Sequence, residues 1–452
     1  MVNPNPRDLA LQALNNFDQK GLLPRYFLEQ SFQKYPGLSG RDKSLCVHIT
    51  NGVLRWRLRL DWYVEQCLDF PFNKLEARIL NILRIALYQI LFMDRIPESA
   101  AVNEAVKQAK AEGRTHLGRF VNGLLRGVIR KKEGLKPFPE GVGKVKRLSI
   151  EYSFPQWIVE KWIRELGEAR TISLLKASNE IPKLVIRVNT LKTTRPALIE
   201  RLVAKGISVS PARFSPIGIC IEGLNAPVAE LEAFNKGLFV VQGEAAQLCG
   251  LLLRPPEGAC VLELCAGVGG KATHLAEQVG SQGRILGLDI KRGTLVRLRQ
   301  TCERLGISWV YPLVADATRP LEKLLKKRFQ RILIDSPCSA LGVIARHPDI
   351  KWARKESHIE ELSRLQGQIL TRACEVLAPG GSLLYVTCTI SREENEGLVE
   401  SFLEEHPEMY VVDLAGSAPP LVREFVDEEG FFRTWPDVHG LDGFFAAMLA
   451  KK

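Results

Sequence analysis

Long apolar runs are missing from this 452-residue chain. No stretch approaches the roughly 18 uninterrupted apolar residues of a membrane-spanning helix, so no span is expected. The opening segment, MVNPNPRDLALQALNN, has no apolar core of the secretory kind, and a cytoplasmic protein is expected. Paired cysteines are missing too. The ten thiols include no C-x-x-C spacing and are too few for a disulfide framework in so long a chain, so no metal and no stapled secreted fold are expected. Internal repeats and low-complexity segments are absent, which excludes solenoids and extended disordered arrays.

What is present is an uneven charge. The net charge is +11. Residues 1–150 hold 25 Lys+Arg against 14 Asp+Glu, whereas residues 151–452 hold 37 of each. Between Lys107 and Arg147 there are 12 basic and 3 acidic residues. A basic module on a neutral body suggests an electrostatic grip on a polyanion; a merely solvated basic face is the alternative.

The length suggests two or three domains. Residues 5–130 carry apolar residues at helical spacing, as in RDLALQALNNF and LEARILNILRIALYQILFM. Ser99 is a candidate N-cap for SAAVNEAVKQAKAEG, and EGLKPFPEGVGKVKR reads as a linker. We therefore expect an all-α domain at 1–140 and a small α+β module, ferredoxin- or RRM-like, at 145–235. An α/β domain is expected at 236–452. In that last part the strands CVLELC, RILGLDI, WVYPLVA, FQRILID and GSLLYVTC alternate with helical stretches, the pattern of a doubly wound, Rossmann-like parallel sheet.

VLELCAGVGGKATHLAE reads as strand, glycine turn, helix. Cys265, Ala266, Gly267, Val268, Gly269, Gly270 and Lys271 would bring backbone close to a ligand at a helix N-terminus. The turn also fits the dinucleotide pattern G-x-G-x-x-A, with Asp289 at ribose-binding spacing. Asp289 either accepts from ribose hydroxyls or caps the next helix, and Asp316 either meets an adenine amino group or caps a turn. Asp335 ends a further strand. Polar groups at the carboxyl ends of four consecutive strands point to one adenosine-type site.

Cys338 and Cys388 follow two of those strands. Either alone reads as a core thiol, as do Cys260, Cys265 and Cys374. Together, beside a cofactor site, they suggest covalent chemistry. Carbon 5 of cytosine is a poor nucleophile until a thiolate adds at carbon 6; the resulting enamine can attack a sulfonium methyl group. Asp335, three residues before Cys338, is placed to stabilise that addition at ring N3. One thiol would attack and the other assist release, within a flipped-base pocket. These residues alone do not rank the two thiols.

At these positions the chain resembles the S-adenosylmethionine-dependent RNA cytosine-5 methyltransferases. The resemblance rests on LCAGVGGKATHLAE, LDIKRGTLVRL, VADATRP, ILIDSPCSALGVIARHPDIKW, YVTCTISREENE and DGFFAAMLAKK. Gly267-Val268 stands where the family has Ala-Pro, and Ala272 where it has Thr. LRIALYQILFMDRIPESAAVNEAVKQAK and RFVNGLLRGVIRK resemble a NusB-type RNA-binding domain. The combination is similar to bacterial small-subunit rRNA methyltransferases. The resemblance implies S-adenosylmethionine as cofactor, 16S rRNA as partner, a monomer, and cytosine 967 as target. It also implies that Cys388 attacks and Cys338 assists release. A nicotinamide-dependent dehydrogenase leaves the thiols and the basic domain unused; a non-catalytic assembly factor leaves the thiols and the three acids unused.

Overall fold

The computed structural model describes residues 3–113, 115–224 and 227–452, and of Thr115 the backbone alone. The chain forms two compact units.

The first unit comprises chiefly residues 3–180 and 344–354. Its helices are α1 (Pro6–Lys20), α2 (Pro24–Lys34), α3 (Gly40–Glu65), α4 (Ala77–Phe92), α5 (Glu98–Ala111), α6 (Thr115–Arg130), α7 (Lys144–Tyr152), α8 (Gln156–Leu166) and α9 (Glu168–Ala177). Local chemistry sets several ends. Asn5 Oδ1 accepts the Arg7 N–H at 2.9 Å, Pro6 opens α1, and Gly21 closes it at φ +65°. Helix α4 is buried on every side from Ile79 to Ile90, its polar Asn81, Arg84 and Gln89 included, so it forms the centre of the core. Its one buried cation, Arg84, is met by both oxygens of Asp61, at 2.6 and 2.7 Å. Two expectations need correction. Helix α5 begins after Pro97, whose φ of −59° sets the entry, so Ser99 lies inside the first turn rather than at the cap. The expected linker already turns helical at Lys144.

Residues 344–354 belong to this helical unit although they interrupt the other one. The Lys351 ammonium donates to the carbonyls of Arg55 and Ser153, each at 3.1 Å, and to Asn179 Oδ1 at 2.7 Å. It also sits 3.6 Å from the centre of the Phe154 ring. Arg55 returns a bond to the Ala345 carbonyl at 2.6 Å, and Trp352 Nε1 bonds the Leu54 carbonyl at 2.7 Å.

The second unit holds two sheets. The smaller is antiparallel in the order β2-β3-β1-β4, with β1 Leu184–Val188, β2 Ser208–Pro211, β3 Gly218–Glu222 and β4 Phe239–Val241. The larger runs β10-β12-β9-β8-β5-β6-β7, with β11 paired to β12. Its strands are β5 Cys260–Leu264, β6 Arg284–Asp289, β7 Val310–Val314, β8 Phe329–Asp335, β9 Leu377–Thr387, β10 Met409–Val411, β11 Phe432–Thr434 and β12 Phe444–Lys451. Strands β5 to β9 are parallel, as expected. Beyond the expectation, β12 adds antiparallel to β9 and carries β10 and β11. Strand order reverses between β5 and β8, and ligands bind at such a switch point. Among the described residues no helix is long and apolar enough to cross a membrane.

Candidate active site

The loop after β5 is shaped by its backbone. Gly267 and Gly269 adopt φ of +56° and +88°, and Cys265 is forced to +60°. At +88° an L side chain on Gly269 would be strained, and its Cβ would also push Leu298 Cδ1, 2.1 Å away, aside. Helix Gly270–Val279 starts directly from this loop. Asp289, at the end of β6, holds the loop in place. Its Oδ2 accepts the Gly267 N–H at 2.9 Å and its Oδ1 accepts the Lys291 N–H at 2.8 Å. Asp289 thus fastens the loop to the start of the next helix. Asp316 caps a turn: Oδ1 accepts the Thr318 N–H and hydroxyl at 2.9 and 2.7 Å, and these bonds lower its pKa. Val268 remains half-exposed at the loop tip, next to the buried Ala266.

Lys271 does not behave as a loop residue. It points inward, only 6% exposed, and pairs with Asp335 Oδ1 at 2.6 Å. Burial, the largest single influence, opposes its charge, but the Asp335 carboxylate and the Cys249 sulfur together hold the ammonium above its ordinary pKa. The nearby Cys388 sulfur acts in the same direction.

The two thiols meet. Cys338 Sγ and Cys388 Sγ are 3.4 Å apart. The hydrogen bond to Cys388, with burial, pushes the Cys338 thiol well above its ordinary value, so Cys338 keeps its proton. The loops that carry them are laced together by backbone. Ser336 N–H donates to the Val386 carbonyl at 2.9 Å and Gly342 N–H to the Cys388 carbonyl at 3.1 Å. Gly342 is pressed against Gly443, whose oxygen would be 1.9 Å from an added Cβ.

Two acids escaped the sequence reading. Glu263 lies within β5, fully buried, with no side-chain partner among the described residues; only the Ala272 backbone N–H reaches toward its carboxylate. Burial raises its pKa well above the usual carboxylate range. An acid in the apolar run VLELC was the available signal. Glu394, in the acidic run REENE, turns inward and is also fully buried; there the neighbouring acids masked the signal. Of the expected site residues, Asp335, Lys271, Cys338 and Cys388 come together, while Asp289 and Asp316 order their own loops. The cysteines expected in the core are less uniform: Cys374 is buried, whereas Cys260 and Cys265 are only half-buried. Outside this site, Cys374, His406 and Glu408 bring ligand-type atoms within 4.8 Å of one another, which their hydrogen bonds to Glu408 Oε1 explain.

A strand–loop–helix cradle whose left-handed backbone favours glycine, with a buried carboxyl behind it, suits a cofactor with a polar end. Fold and site together define a Rossmann-like methyltransferase carrying a paired thiol. Comparison with known proteins agrees. The 16S rRNA methyltransferase RsmB/F family matches residues 250–450, the NusB family residues 4–130, and the RsmF/B-like ferredoxin-like domain residues 154–228. The chain is 32% identical to the probable ribosomal RNA small subunit methyltransferase B of Bacillus subtilis over all of both chains. It is 33% identical to the ribosomal RNA small subunit methyltransferase B of Escherichia coli over 99% of each. The crystal structure of PH0851 superposes with a TM-score of 0.82 at 28% identity, covering 100% of this chain and 99% of that one. The chain belongs to the RsmB/F family of 16S rRNA methyltransferases.

Proposed function

We propose that this enzyme methylates carbon 5 of a cytosine in 16S rRNA, position 967 by resemblance, through a covalent adduct between Cys388 and carbon 6 of the base. The carrying observation is the 3.4 Å thiol pair in a site that also holds the Lys271–Asp335 ion pair. Cys388 attacks as thiolate. Lys271 occupies Asp335 Oδ1, which leaves Oδ2 to face ring N3 and stabilise the charge that addition creates there. S-adenosylmethionine, when bound, supplies the sulfonium methyl group; the glycine loop 265–271 would hold it, with Asp289 and Asp316 at the adenosine end and Asp335 near the reacting centre. Cys338, kept protonated and 3.4 Å from Cys388, serves the release step: once a base has taken the carbon 5 proton, its thiol hydrogen bond stabilises the departing Cys388 thiolate.

The three functional modules are residues 1–140, 145–235 and 236–452, the first gripping rRNA and the second positioning it. We place the enzyme in the cytoplasm as a monomer acting on free 16S rRNA or an early small-subunit intermediate. Thiol addition and sulfonium transfer call for no metal.

Single substitutions test the roles. Cys388→Ala should abolish methylation while leaving S-adenosylmethionine affinity nearly intact. Cys338→Ala should allow addition and methyl transfer and then stall, giving an RNA–protein complex that survives denaturing electrophoresis and requires Cys388. The reverse pattern would make Cys338 the nucleophile, and unchanged turnover in both variants would return the thiols to the core.

A further inference from the structure

Behind the thiols lies a carboxylate that none of these steps uses. Glu394 Oε1 accepts the Ser339 backbone N–H at 2.8 Å and Gln366 Nε2 at 3.0 Å, and Oε2 accepts the Ser339 hydroxyl. Ser339 Oγ is 2.7 Å from Thr389 Oγ1, which itself bonds Glu394. Ser339 is the residue after Cys338 and Thr389 the residue after Cys388. The same Gln366 amide donates to the carbonyl of Pro337, just before Cys338, at 2.9 Å. Strand β9 completes the clasp, because the Tyr385 hydroxyl donates to the Glu394 backbone carbonyl at 2.7 Å.

Burying a carboxylate is costly unless its lone pairs are filled. Of the three acids in REENE, only Glu394 is fully buried, and Glu393 stays exposed; the buried neighbour Asn395 bonds Thr387 Oγ1 and the Thr389 carbonyl, so among the acids Glu394 alone carries the inward contacts. Every side-chain bond it accepts comes from a residue next to a thiol or from the glutamine that fixes Pro337. Core filling alone would not require that pattern. We propose that Glu394 is a positioning residue that sets the separation of Cys338 and Cys388 by tying both thiol-bearing loops to one carboxylate. Its catalytic consequence rests on the covalent reading above, but the geometric claim does not.

The test therefore reads the geometry directly. Full-length wild type, Glu394→Gln and Glu394→Ala are treated with diamide, which takes the two thiol hydrogens, is reduced to its hydrazine, and leaves one Sγ–Sγ bond. Peptide mapping by mass spectrometry then follows the Cys338–Cys388 cross-link. Single-turnover methylation and S-adenosylmethionine affinity are measured on the same samples. Glu394→Ala should cross-link at least roughly tenfold more slowly and lose roughly 100-fold in single-turnover rate, the scale of a 1 Å misplacement, with cofactor affinity within about twofold. Glu394→Gln keeps Oε1 and its two donors and should fall between the two. Wild-type cross-linking in Glu394→Ala overturns the proposal. If that variant loses cofactor affinity as well, wild-type cross-linking in Glu394→Gln overturns it and slowed cross-linking upholds it. Slowed cross-linking in Glu394→Ala, together with Cys388→Ala and Cys338→Ala enzymes that both keep full turnover, upholds the positioning role and sinks the covalent one.

Discussion

Glu263 shows how a single side chain ties the site to stability. Its folded-state pKa is raised by burial above the ordinary 4.5. Between these two values the folded chain keeps a proton that the unfolded chain has lost, so stability falls as pH rises through that window. Glu263→Gln carries no such proton. Urea unfolding of the cofactor-free protein should find the variant more stable than wild type by about 1–3 kcal/mol near pH 8, with the gap shrinking toward pH 5. A gap that does not move with pH would mean the carboxyl finds a partner. At this scale the sequence was a partial guide. Cys338, Cys388 and Asp335 were legible because strand ends deliver side chains to one sheet edge. The orientation of Lys271 was not, since a loop lysine reads as solvated until its partner on another strand is known.

Among elements, the parallel strands were legible because each is a short apolar run bounded by turn residues. Strand β12 was not read as a strand: FFAAMLAK is equally apolar on both faces, and periodicity does not separate such a run from a buried helix. The segment 344–354 was harder still, because nothing local says that HPDIKW leaves one unit and packs in the other. Its anchor is Lys351. Burial, with the Arg55 charge, lowers the lysine's pKa well below its ordinary value, yet three oxygens receive its donors. Lys351→Ala would orphan those three acceptors and should cost at least about 3 kcal/mol in chemical denaturation. Lys351→Met keeps the aliphatic stem against Phe154; if it restores full stability, packing rather than hydrogen bonding holds the segment.

For the whole molecule, the basic surplus of the first third lies partly on α6, where Arg119, Arg126 and Arg130 are exposed at spacings that share one helix face. Replacing all three with glutamine should weaken 16S rRNA binding and lower the slope of log affinity against log salt by roughly 2, at about 0.7 per lost phosphate contact. Filter binding across a salt series reads this directly; an unchanged slope would make the face merely solvated.

The excursion of residues 344–354 also has a consequence in time. The helices of the first unit leave the ribosome early, but the lysine and tryptophan that seal against Leu54, Arg55 and Ser153 are synthesised about 170 residues after Glu180. At bacterial elongation speeds that interval is roughly ten to thirty seconds. Throughout it the nascent helical unit presents the unmet carbonyls of Leu54, Arg55 and Ser153. A message broken anywhere in that span therefore yields a helical unit whose Leu54, Arg55 and Ser153 carbonyls lack the partners that Lys351 and Trp352 supply.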